Sequence, residues 1–213
     1  MLLAYALVYQ DWQSEHIPRE QRRGYNIGAV LVNPENKAVN AALNCINATN
    51  NTTQHGELRV MMNYIGQSNC FNLSGFTVYT TLEPCIMCAG MMMMTDVKRV
   101  VFGQHDVMFS KAFERLSLDS SESGGFTPYP RQVIVQASDS EYCRHLDKAY
   151  DLFLQKAEEK ILARFLASDT AKGIYAEAYN AFANYQVQYP ENKIYLEAAR
   201  NVLKNFAYEP IHR

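Results

Sequence analysis

Apolar positions recur along this chain in two rhythms, one of helical spacing and one of strand length. Leu2, Leu3, Ala4, Tyr5, Ala6, Leu7 and Val8 open a stretch that predicts a helix over residues 1–15, amphipathic and packed on the domain. Pro18 and the charged run Arg19–Arg23 read as a connector. Ile27–Val32 is an apolar run of strand length, Asn33-Pro34-Glu35-Asn36 carries turn chemistry, and Ala38–Leu43 returns as a hairpin partner. After the polar loop Asn47–Gln54, Leu58, Met61, Met62 and Ile65 recur at steps of three and four and predict a helix from His55 to Ile65. Phe76–Thr81 is a β-type run, and Cys85–Met94 reads as a helix started by Pro84. Val97–Phe102 and, beyond the loop Ser120–Pro130, Gln132–Ala137 are further strands. Strands alternating with helices predict a layered α/β domain with a largely covered sheet.

From about Ser140 the texture changes. Residues 141–213 show no strand pattern and read as three helices over 141–167, 171–187 and 193–206, with Tyr189-Pro190-Glu191-Asn192 breaking the last two. The chain therefore divides into a unit at 1–140 and an all-helical extension at 141–213. The last two helices resemble one tetratricopeptide-like hairpin, but no second copy follows, so no repeat array is expected. Eight of the 14 tyrosines lie in the extension, at 142, 150, 175, 179, 185, 189, 195 and 208. An aromatic core between helices is the favoured reading, and a stacking surface for bases is the other. The ten basic and ten acidic residues of the extension provide no electrostatic funnel.

Composition narrows the class. In 213 residues, 48% hydrophobic and 20% charged content suit a globular chain with a full core. Twenty Lys+Arg against 22 Asp+Glu give a formal charge of −2, which excludes a generally basic, phosphate-binding surface. No apolar run approaches the roughly 18 residues of a membrane span. Met1–Tyr9 has the apolarity of a signal-peptide core but lacks a basic start and a small-residue cleavage site. The five cysteines (45, 70, 85, 88 and 143) are an odd number, and two form a Cys-x-x-Cys, which points to a metal or redox site in a reducing cytoplasm. Cys45, Cys70 and Cys143 are expected to be inert buried thiols.

Two segments carry chemistry: His55-Gly56-Glu57 and, 27 residues after Glu57, Pro84-Cys85-Ile86-Met87-Cys88. One imidazole and two thiolates suit Zn²⁺, and three protein ligands leave a fourth position open, as catalytic zinc requires. Cys85 and Cys88 share one side of a helix start, where the backbone dipole favours thiolates. Glu57, two residues from His55, can approach the metal without ligating it and move protons. A Cys-x-x-Cys alone is also compatible with a redox dithiol or half of a four-cysteine knuckle. The knuckle needs a second close pair that the chain lacks, and the proline here precedes the first cysteine instead of separating the two.

His-x-Glu followed by Pro-Cys-x-x-Cys is the zinc deaminase signature. Thr80-Thr81-Leu82-Glu83-Pro84-Cys85-Ile86-Met87-Cys88-Ala89-Gly90, with Arg99-Val100-Val101-Phe102-Gly103, Ile27–Val32 and Asn44, resembles the cytidine deaminase superfamily, in particular its tRNA adenosine deaminase and guanine deaminase branch. The resemblance covers roughly residues 1–137. It implies a three-layer α/β/α domain around a mixed five-stranded sheet, and zinc held by His55, Cys85 and Cys88. It also implies Glu57 as proton shuttle, Asn44 orienting the base, and the Gly56 backbone N–H touching substrate. The implied reaction is hydrolytic: water replaces the amino group of a nucleobase, purine favoured, free or within a nucleoside, nucleotide or RNA, and ammonia leaves. A homodimer is implied as well. Two departures stand out. Asp106 is followed by Val107-Met108-Phe109-Ser110-Lys111 where tRNA deaminases continue Lys-Thr-Gly, and Met91–Met94 replaces a histidine and a basic residue. The alternative function is a catalytically idle deaminase-fold module that binds nucleic acid or protein, for which an intact Glu57 has no chemical use.

Overall fold

The computed structural model describes residues 1–117, 124 and 132–206. Five strands, β1 (Gly28–Val32), β2 (Ala38–Leu43), β3 (Thr77–Leu82), β4 (Arg99–Gln104) and β5 (Ile134–Ala137), form one sheet in the order β2-β1-β3-β4-β5. The first three in that order are antiparallel, and β3, β4 and β5 run parallel. The β1–β2 hairpin closes where expected. The Asn33 side chain accepts the Lys37 N–H, and Asn36 adopts a left-handed φ of 61° that asparagine tolerates. Parallel neighbours need crossovers, which α3 (Ile86–Met94) and α4 (Ala112–Leu116) supply.

Side-chain alternation along the strands creates two cores. Ala29 and Leu31 of β1 enter one, with Val60 and Met61 of α2 (Gly56–Ser68), Met92 and Met93 of α3, and Phe113 of α4. Val30, between them, enters the other, with Tyr5 and Leu7 of α1 (Leu2–Gln10), Leu146 and Tyr150 of α5 (Glu141–Lys156), and Tyr175 and Phe182 of α7 (Asp169–Ala183). Helices thus cover both faces, giving the three-layer α/β/α architecture with a mixed five-stranded sheet.

Three expectations change. The first helix ends at Gln10 and is not amphipathic: Leu3 to Val8 are all buried, because the sheet takes one side and α7 the other. The helix expected over 141–167 breaks after α5. Ala157 is extended, Glu158-Glu159-Lys160 offer no apolar stripe, and only the short α6 (Leu162–Phe165) follows. Cys70 is half-buried, unlike Cys45 and Cys143, and the Cys143 thiol meets the Tyr5 hydroxyl at 2.9 Å. Of the loop at 120–130 only Gly124 is described, and Tyr208 lies outside the described residues.

The extension's aromatics follow the core reading. Tyr150 and Tyr175 are buried, and Tyr175 stands edge-on to Tyr5 at 5.1 Å and beside Trp12 at 5.3 Å. Ser168 caps α7 by accepting the Ala171 N–H, and α8 (Lys193–Asn205) lies across β2 and α1 without a buried residue of its own. Tyr185 and Tyr189 are exposed. Tyr175→Ala is expected to cost about 3–5 kcal/mol, as a large buried aromatic removed from a packed site does. Tyr185→Ala should change stability by less than about 0.5 kcal/mol. Urea unfolding midpoints of the two variants give the comparison.

Candidate active site

Two helix starts meet at one end of the sheet. His55 is the N-cap of α2, and Cys85 is the N-cap of α3, with Cys88 one turn further. The His55 Nδ1 atom lies 3.6 Å from the Cys85 Sγ and 3.6 Å from the Cys88 Sγ, and the two sulfurs are 3.7 Å apart. Among the described residues this is the one His/Cys/Asp/Glu group with the geometry to hold a metal ion, its donor atoms all within 4.8 Å of one another.

Placing these groups together polarises them. The Cys88 thiol, donating to Cys85, pulls the Cys85 thiol down to about 4, against its partial burial and with help from His55. The same bond, with burial and the Glu57 charge, pushes Cys88 up, so the pair holds one proton between two sulfurs. The hydrogen bond to Cys85 raises His55, with burial opposing. A lowered thiol beside an imidazole and a second thiol has the donor chemistry that could hold a metal ion.

Glu57 sits in the first turn of α2 and is 3% exposed. Burial raises its pKa, and the Thr80 hydroxyl donates to its Oε1 at 3.1 Å. Its Oε2 is buried with no hydrogen-bond partner. In the sequence Thr80 reads as an ordinary strand residue, with nothing local to mark it as a partner of Glu57. The only available signal was parity: Val78 and Thr80 point to the same face of β3, the face that α2 covers.

Asn44 is fully buried just after β2, and its Oδ1 accepts the Tyr25 N–H at 3.1 Å and the Ile46 N–H at 3.4 Å. The Arg23 guanidinium donates to its backbone carbonyl. Those bonds fix the amide with Nδ2 as its unpartnered group. Gly56 lets the α2 start sit close to the hairpin, since a Cβ there would come within 3.1 Å of the Ala42 carbonyl oxygen and 3.5 Å of the Asn44 nitrogen.

With that geometry established, similarity to known proteins is specific. Residues 12–104 match the model of the cytidine and deoxycytidylate deaminase zinc-binding region. The chain is 26% identical over 134 residues to a tRNA-specific adenosine deaminase of Haemophilus influenzae, covering 63% of this chain and 73% of that protein. It is 36% identical over 87 residues to the tRNA-specific adenosine deaminase of Bacillus subtilis, covering 41% of this chain and about half (53%) of that protein. A solved guanine deaminase from Nitrosomonas europaea shares 15% identity at a TM-score of 0.43, over 84% of this chain and 79% of that one.

The donor set fits zinc: one nitrogen and two sulfurs in contact, the Cys85 thiol held low, and the buried Glu57 carboxyl near enough for its charge to push His55 and Cys88 up. This predicts selective chemistry at one thiol. In metal-stripped protein at pH 6, which lies above the lowered Cys85 value of about 4, iodoacetamide should alkylate Cys85 ahead of Cys70, Cys45 and Cys143. Excess zinc should suppress that labelling, as peptide mass mapping would show. Equal labelling of Cys70 and Cys85 would contradict the assignment.

Proposed function

We propose that this protein is a zinc-dependent hydrolytic deaminase that converts an amino group on a nucleobase, a purine in preference, to a carbonyl and releases ammonia. The observation that carries this reading is the Glu57 carboxyl, buried, held at Oε1 by Thr80 and unpartnered at Oε2, close enough for its charge to act on His55 and Cys88 of the donor cluster. His55, Cys85 and Cys88 would hold the zinc, which when bound supplies Lewis-acid activation of water. Glu57 takes and returns protons, a task suited to a carboxyl whose burial raises its pKa. Asn44 offers Nδ2 to an acceptor on the base while Tyr25 and Ile46 lock its Oδ1. The Gly56 N–H, in the first turn of α2, has no carbonyl of its own helix to bond and can donate to substrate.

In this reading residues 1–140 are the catalytic unit and 141–213 an extension, whose described helices pack on the far face of its sheet. A reducing cytoplasm suits a site built on thiolates, and no helix among the described residues is long and apolar enough to cross a membrane. A homodimer through the methionine-rich layer is supported by the exposure of Met62 in α2, of Phe71 just after it and of Ile86 in α3. Light scattering at the 24.3 kDa mass of one chain would remove the dimer.

Ammonia release from a panel of free bases, nucleosides, nucleotides and tRNA, read with product masses, tests the function. Silence across the panel from zinc-loaded protein would favour an idle binding module instead. Glu57→Gln should keep zinc at full stoichiometry and change stability by no more than about 1–2 kcal/mol. Its turnover should fall by roughly 10²–10⁴. Cys88→Ala should instead lose zinc and stability together.

A further inference from the structure

The segment between β4 and α4, residues 105–111, borders the Cys85 helix start and is gripped from two sides. On the inner side Glu83, two residues before Cys85, accepts the Asp106 N–H at Oε2 (3.2 Å) and the Lys111 N–H at Oε1 (2.9 Å). Asp106, 3% exposed, in turn accepts the Met108 and Phe109 N–H groups at 2.9 and 3.1 Å. That turn leaves Val107, Met108 and Phe109 57–60% exposed at its apex. On the outer side the contact comes from the helical extension. Asp147 of α5 accepts the His105 backbone N–H at Oδ1 and meets the His105 Nδ1 at Oδ2, both at 2.8 Å, while the imidazole stands edge-on to Phe102 at 5.2 Å.

We propose that Asp147 is a positioning residue: it couples the extension to the active-site border by holding segment 105–111 against Glu83. The proposal rests on the deaminase reading only in what the segment does for substrate. A two-point grip on the main chain and side chain of one residue fixes the orientation of His105, which a lone surface ion pair does not. Asp147 is itself placed by its neighbours in α5, because Leu146 and Tyr150 are buried in the core shared with α1 and α7. The path from extension to site is short: Asp147 to His105, then Asp106 to Glu83, then along the chain to Cys85. Both partners are partly exposed, His105 at 55% and Asp147 at 32%, so the pair adds little to global stability. Its effect is on local opening of a segment with few buried apolar groups of its own.

Amide hydrogen exchange on the zinc-loaded full chain, without substrate, tests this directly. In Asp147→Ala, exchange of peptides covering 105–111 should rise roughly five- to tenfold, while α2 and α3 keep their protection and the melting temperature moves by no more than about 2–3 °C. His105→Ala, which keeps the backbone bond, and Asp147→Asn, which keeps one acceptor oxygen, should fall between wild type and Asp147→Ala. Unchanged exchange at 105–111, or a rise spread equally over the sheet and α5, would overturn the proposal. On whichever panel substrate turns over, Asp147→Ala should raise KM several-fold with kcat within about twofold; an equal loss in kcat at unchanged KM would also overturn it. The exchange measurement needs no turnover, so a failure of the deaminase reading and a failure of the grip give different results.

Discussion

The chemistry of this molecule depends on one imidazole nitrogen and two sulfurs being held in contact by two separate helix starts. Such a cluster has no reason to form in a flexible chain, and here the sheet enforces it. Strand β1 pairs with both β2 and β3, so the segments leaving those two strands emerge side by side. One leads to His55 and α2, the other to Cys85 and α3. Gly56 permits the close approach, since a side chain there would press on the Ala42 carbonyl. Once together, the groups polarise one another, drawing the Cys85 thiol down and pushing the Cys88 thiol up, so that the pair shares a proton. A divalent cation held by His55, Cys85 and Cys88 would take the place of that proton and allow both sulfurs to be anionic.

The helical extension serves the same end from the other face. Six consecutive buried residues in α1 would be unsustainable on a helix open to solvent, and α7 closes the side the sheet leaves uncovered. Tyr5, Trp12 and Tyr175 pack together there, and their rings supply much of the apolar area that α1 alone could not bury. Through Asp147 the extension also reaches round the end of β4 to the border of the site. It is continuous with the sheet's second core, whatever further surface it presents.

Much of this was legible in the sequence, for local reasons. The hairpin followed from Asn33-Pro34-Glu35-Asn36, and the start of α3 followed from Pro84. The meeting of His55, Cys85 and Cys88 followed from donor types at helix starts, which need little tertiary knowledge. What stayed hidden was long-range. The burial of α1 on all sides depends on α7, about 160 positions later, so its apolar run alone predicts only one buried face of an amphipathic helix. The break at Ala157 hides in a charged run that a helix tolerates, and α4 is too short to show a period. Thr80 and Asp147 look like ordinary strand and helix residues, and only the fold brings them to Glu57 and His105.

The central claim is a zinc centre built from His55, Cys85 and Cys88 with Glu57 beside it but unligated. X-ray absorption at the zinc edge, on loaded wild type and on Glu57→Gln, tests that most directly. The account predicts two sulfurs at ~2.3 Å and two lighter atoms at ~2.0–2.1 Å, unchanged by the substitution. Three or four sulfurs around the metal, or a coordination shell altered in Glu57→Gln, would contradict it.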